Sequence, residues 1–146
     1  MGPVVVIIAP NLKRRPYKFY LSLENSICKD YMTEKLWNAL NHSVVPIVLG
    51  GGDYANTLPE GSYIDASSNG PKALAALMKT LDEDESRYAE YFWWKERFSA
   101  SVLSEEEHAE RHCALCERLH RDDSHQVMED LEKWWEKEGR CTQIRF

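Results

Sequence analysis

Residues 17–23 are mostly aromatic and aliphatic, and soon after them the apolar spacing changes to that of a helix, with Met32, Leu36, Ala39 and Leu40 on one face. The first run reads as a buried strand and residues 31–41 as a helix. Asp30 is the expected N-cap, and Thr33 lies where the first unpaired N–H groups point. A strand that feeds the open end of a helix forces the chain through a loop at the strand's carboxyl edge. The next apolar run, Val44–Leu49, then reads as a second buried strand, so that residues 17–49 form a βαβ unit with neighbouring parallel strands.

The polar residues of this crossing carry chemistry. Backbone donors and the positive end of the helix dipole favour an anion there, and Lys35 adds a charge that can reach a phosphate oxygen. Glu34 would repel a bare phosphate, so it is assigned to the hydroxyls of a ribose or another sugar. Together the two residues suggest a nucleotide with its pentose. After the second strand, Gly50-Gly51-Gly52-Asp53 reads either as a plain turn or as a place where backbone approaches a nucleotide closely.

Downstream, residues 62–66 predict a short strand, and Pro71 suits the first position of a helix running to about Leu81 with Leu74, Leu77, Met78 and Leu81 buried. A helix over 85–98 carries Tyr88, Tyr91, Phe92 and Trp94 as an aromatic core stripe. Two more helices follow, around 104–120 and 124–138, the last closed by Gly139 at C′. Val4–Ala9 is too short for a membrane span and has its basic residues on the wrong side for a signal peptide, so it reads as a buried strand. The fold class is α/β: a Rossmann-like parallel sheet with extra C-terminal helices.

With 43% hydrophobic residues, the 146-residue chain can bury a core. A net charge of −6 and the lack of a basic stripe interleaved with aromatics argue against nucleic-acid binding.

The segments YKFYLSLENS (17–26), DYMTEK (30–35), VVPIVLG (44–50), GSYID (61–65) and YAEYFWWK (88–95) together closely resemble the α1,3-fucosyltransferases of glycosyltransferase family 10. The resemblance runs from about Tyr17 to Phe98, and a Cys-x-x-Cys near the C-terminus is typical of the family's animal and plant members. It implies the C-terminal, donor-binding half of a two-domain GT-B fold, with a GDP-fucose domain over 1–98 and a helical extension over 99–146. The implied activity is inverting transfer of fucose from GDP-fucose to N-acetylglucosamine of a glycoprotein glycan, in α1,3 linkage, with no metal required. By the same resemblance Asn25, Tyr31, Glu34 and Lys35 contact the donor, Lys35 on the diphosphate and Glu34 on the ribose. Glu24, Ser26 and Thr33 complete the pocket.

The chain is shorter than such an enzyme by the acceptor half, where the resemblance places the general base, so no catalytic residue is assigned and isolated activity is not expected. The family's upstream diphosphate arginine has no aligned counterpart, Arg14 or Arg15 being the nearest candidates. Leu23 replaces a usual Phe, and Asn69-Gly70 replaces an aromatic and a small residue. The resemblance also implies a Golgi setting, although no anchor or signal is read in this chain. A stand-alone nucleotide-sugar-binding module is the alternative function.

Other clusters have competing readings. Asp82-Glu83-Asp84 either mimics an acidic metal motif or caps a helix. Cys113 and Cys116 form a disulfide by family resemblance, remain free, or join His112 and His120 on zinc, with His108, His125 or Cys141 in reserve, as in a zinc-stabilised helical interaction protein. Cys28 and Cys141 are unassigned. Asn41-His42-Ser43 is a glycosylation triplet, and Trp37 is read as packing rather than as a sugar platform.

Overall fold

A computed structural model describes residues 17–68, 70–100, 104–124 and 127–142. The strand expected over Val4–Ala9, together with Arg14, Arg15, Asn69 and His125, lies outside these residues. Three strands, β1 (Phe19–Leu23), β2 (Val45–Leu49) and β3 (Ile64–Asp65), form one parallel sheet in the order β1-β2-β3. Helix α1 (Glu34–Asn41) connects the first two strands and α2 (Tyr54–Thr57) the last two. Phe19 pairs in register with Val45 and Leu23 with Leu49, while Ile47 and Val48 face Ile64 and Asp65. The parallel βαβ unit expected from the alternation of apolar spacings is therefore present.

Alternation along β2 divides the core into two layers. Val45 and Ile47 pack with Phe19, Ile64, Met78 and Leu81 under α3 (Pro71–Glu83), joined by Tyr88, Tyr91 and Phe92. Val48 packs on the other face with Leu36, Leu40, Tyr54, Leu58 and Trp94. Burial on both faces explains why β2 is continuously apolar. It even contains the fully buried Pro46. Val45 donates its N–H to Lys18 O on the β1 side (2.8 Å), so the imide nitrogen of Pro46 points the other way, where β3 pairs only with Ile47 and Val48. No ladder bond is lost there.

Several boundaries differ from the sequence expectation. Thr33, not Asp30, is the N-cap of α1. Asp30 instead takes a left-handed φ of 62° and donates its N–H to Gly51 O (2.9 Å), reversing the loop before the helix starts. The helix expected over 85–98 splits into α4 (Glu85–Glu90) and a 3-10 turn, Trp93–Glu96. Tight bonds from Tyr91 N–H to Tyr88 O and from Phe92 N–H to Ala89 O make the break, which carries Tyr88 and Phe92 to one face of the sheet and Trp94 to the other.

Helix α5 (Glu105–Arg121) matches its expected span and is exposed throughout. A Ser104–Glu107 capping box, acids in its first turn and bases in its last stabilise it locally. The final helix is shorter than expected. Asp130 caps α6 (Leu131–Lys133), which continues as a π-helical turn over Trp134–Glu138. Gly139 keeps a right-handed φ of −67°, and the left-handed residue is Arg140 (φ 49°). Glycine is required at 139 because a Cβ would run into the carbonyl oxygen of Trp135.

Candidate functional site

The carboxyl ends of β1 and β2 and the amino end of α1 meet at Glu24. Its N–H continues the sheet by donating to Leu49 O (2.9 Å), which turns its side chain toward the helix start. The carboxylate accepts the Thr33 N–H (2.8 Å) and the Thr33 hydroxyl (2.8 and 3.0 Å to its two oxygens). Lys35 Nζ lies 3.3 Å from Glu24 Oε2 and donates to Thr33 Oγ1 at 3.1 Å. The Glu24 side chain is only 2% exposed, against 27% for Lys35. A buried carboxylate is tolerated here because a helix terminus, a hydroxyl and an ammonium all face it.

The sequence reading put a phosphate against the first N–H groups of this helix. The Thr33 N–H, on the N-cap residue just before those groups, is committed to a carboxylate from the same chain. Lys35 spends two of its three ammonium protons on Glu24 and Thr33, and its side chain stays partly exposed. Glu24, Thr33 and Lys35 are thus brought into one network. Asn25 and Glu34 are exposed and Ser26 is half-buried beside it, outside that network among the described residues. Tyr31 is half-buried, its ring edge-on to Trp135 with centroids 5.5 Å apart.

The three glycines after β2 share one cause. A Cβ on Gly50 would meet Tyr54 Oη and Glu24 Cγ, one on Gly51 the Cys28 carbonyl, and one on Gly52 the Met32 side chain. The loop 24–32 therefore lies directly on the β2–α2 turn, so the close approach seen at this glycine run is to the protein's own chain. Tyr54, which sequence reasoning missed, is buried beneath Gly50, and its hydroxyl has no hydrogen-bond partner among the described residues. Burial, and then the Glu24 carboxylate, push its pKa up to about 12.

The cysteine expectation is corrected. The disulfide joins Cys28 to Cys141, and Cys113 and Cys116 are free, exposed thiols. Both free cysteines sit inside the unbroken helix α5, where Cα–Cβ bonds lean in a common direction rather than converging as a disulfide demands. The bridge brings the C-terminal tail onto the loop 24–32. There Lys29 N–H donates to Gly139 O (2.7 Å) and Thr142 N–H to Ile27 O (2.8 Å). Sequence spacing gave no signal for this pairing, since the two cysteines are 113 positions apart.

Among the described residues no group of three or more His, Cys, Asp or Glu side chains gathers to hold a metal ion. Asp82 pairs with Lys18 (3.2 Å), and Asp84 caps α4 through the N–H groups of Ser86 and Arg87 (both 3.1 Å). Trp37 is 37% exposed and lines an apolar groove of about 460 Å³ with Leu40, Leu58, Trp93 and Phe98. Asn41 is exposed at the end of α1. No helix among the described residues is long and apolar enough to cross a membrane.

The three-stranded parallel sheet with its helices defines an α/β, Rossmann-like class of fold, consistent with the C-terminal half of a GT-B protein. Residues 10–134 match the model of glycosyltransferase family 10 (fucosyltransferase), C-terminal region. The chain belongs to that family. It is 42% identical over 124 residues to alpha-(1,3)-fucosyltransferase C of Drosophila melanogaster, covering 82% of this chain and 28% of that protein. It is 41% identical over 133 residues to glycoprotein 3-alpha-L-fucosyltransferase A of the same species (86% and 25% covered). The similarity to 4-galactosyl-N-acetylglucosaminide 3-alpha-L-fucosyltransferase 9 of Mus musculus is 40% over 122 residues (81% and 33% covered). The chain thus spans between about a quarter and a third of these relatives' length.

Proposed function

We propose that this chain is the donor-binding part of an α1,3-fucosyltransferase, holding GDP-fucose across the carboxyl ends of β1 and β2. The observation that carries the reading is the placement of Lys35 Nζ, oriented by Glu24 and Thr33 yet still partly exposed. In this reading the remaining ammonium proton faces the pyrophosphate, and Glu34, exposed at the first position of α1, accepts from the ribose hydroxyls. Asn25 and Tyr31 contact the donor, and Glu24, Ser26 and Thr33 shape the pocket.

The chemistry is a single displacement. A base from the acceptor half takes the proton of an N-acetylglucosamine hydroxyl while that oxygen attacks the anomeric carbon and GDP departs with inversion. Lys35 and the positive end of α1 stabilise the charge growing on the leaving diphosphate. No metal is assigned to the reaction, and a Golgi location is part of the same proposal.

Titration of the chain with GDP by calorimetry tests it. The expected result is saturable binding that Lys35→Gln weakens at least tenfold, because the amide keeps a donor for Glu24 but loses the charge. Equal affinities of the two chains would overturn the reading. A parallel assay for fucose transfer to an N-acetylglucosamine glycan is expected to be silent until an acceptor half is supplied.

A further inference from the structure

The loop that carries Tyr31 is held from two sides. On its inner side Asp30 N–H donates to Gly51 O (2.9 Å), and the Cys28 carbonyl lies so close to Gly51 that no Cβ fits between them. On its outer side lies the C-terminal tail. The Cys28–Cys141 bridge, an antiparallel pairing of Ile27 with Thr142, and the bond from Lys29 N–H to Gly139 O attach that tail along residues 27–29.

This attachment carries the π-helical turn Trp134–Glu138 over the loop and seats Trp135 against Tyr31, the rings at 86° with centroids 5.5 Å apart. Edge-to-face pairing fixes the orientation of both rings. The tail's own geometry is committed to the contact: the carbonyl of Trp135 occupies the space a side chain at 139 would need, and lies 2.9 Å from the bridged sulfur of Cys141.

We infer that Trp135 is a positioning residue for the donor loop, holding Tyr31 in the orientation that receives the nucleotide. This role rests on the donor-site reading above and assigns a part in it to a side chain more than a hundred positions downstream of the motif. The tail is then a wall of the binding region and not an appendage. Trp135 acts through Tyr31 and touches no reacting atom.

Amide hydrogen exchange and GDP calorimetry on the same chains test it. Trp135→Ala is expected to speed exchange over residues 27–31 about three- to tenfold, to leave exchange in Val45–Val48 unchanged, and to raise the GDP Kd by a similar factor. Trp135→Phe, which keeps an aromatic edge, is expected to restore both. Unchanged exchange over 27–31 in Trp135→Ala overturns the inference whatever the nucleotide does. Faster exchange with an unchanged Kd overturns the positioning role. If the wild-type chain itself fails to bind GDP, the donor-site reading falls together with the role built on it, while the exchange data still report whether Trp135 holds the loop.

Discussion

Glu24 Oε2 lies 3.3 Å from Lys35 Nζ, and the buried carboxylate accepts the N–H of Thr33, the N-cap of the helix that carries that lysine. The pair does two jobs. It satisfies the N–H of the N-cap residue Thr33, and it orients the ammonium while leaving it partly solvated.

Glu24→Ala removes the acceptor for both Thr33 donors and the partner of Lys35. A loss of about 2 kcal/mol is expected, since unmatched buried polar groups cost about 1–3 kcal/mol each. Glu24→Gln, which keeps one acceptor oxygen, is expected to lose less. Urea denaturation midpoints of the three chains check the order, and equal midpoints for Glu24→Ala and wild type would contradict it.

Alanine scanning of the glycines separates close approach from backbone strain. Gly51→Ala drives a Cβ into the Cys28 carbonyl, a backbone atom that cannot swing aside, so about 1–3 kcal/mol of destabilisation is expected. Gly61 has open space around it but a φ of +72°, so its alanine variant carries only the left-handed penalty of about 1 kcal/mol. Gly70 has neither constraint, and a near-neutral change is expected. The same urea midpoints rank the three, and a Gly70→Ala chain as weak as Gly51→Ala would refute the packing argument.

Alkaline pH should weaken the fold through two tyrosines. Tyr54 is pushed up to about 12 by burial and then by Glu24, and Tyr88 to about 12 by burial. An exposed tyrosine titrates near about 10, so between about pH 10 and 12 the folded chain keeps protons that the unfolded chain has released. Their stabilisation is complete below about pH 10 and is lost as pH rises through about 12. Tyr54→Phe is expected to flatten this decline and, because the Tyr54 hydroxyl has no partner among the described residues, to cost nothing at neutral pH. Tyr88→Phe also flattens it but loses about 1 kcal/mol at neutral pH with the bond to Lys18 O (2.7 Å). Urea midpoints across that pH range give the slopes.

Thiol chemistry checks the bridge. Without reductant, a maleimide should label Cys113 and Cys116 on the native chain, and Cys28 and Cys141 should become reactive only after reduction. Cys141→Ser should leave the sheet intact and expose residues 131–142 to proteolysis, because the bridge is the covalent anchor that seats this solvent-exposed tail on residues 27–31. A peptide map linking Cys113 to Cys116 would be the contrary result.

Local rules carried the sheet and most helices. Val45–Val48 is apolar without a break because both faces of the strand are covered, and Pro71 and the Ser104–Glu107 box mark helix starts by chemistry confined to a few adjacent residues. The strand, loop and helix start over residues 19–41 were legible for the same reason, being contiguous in the chain. What side chains do once distant segments meet was not legible. Helical spacing says nothing of which side chain takes the N-cap N–H, and only the folded loop puts Glu24 there. Cys28 could not select Cys141 over two nearer-looking partners until the tail crossed the loop, and Trp135 could not be matched to Tyr31. Periodicity reports which face of an element is buried, whereas pairing across more than a hundred residues depends on where chain closure brings them, and that is a property of the packed fold alone.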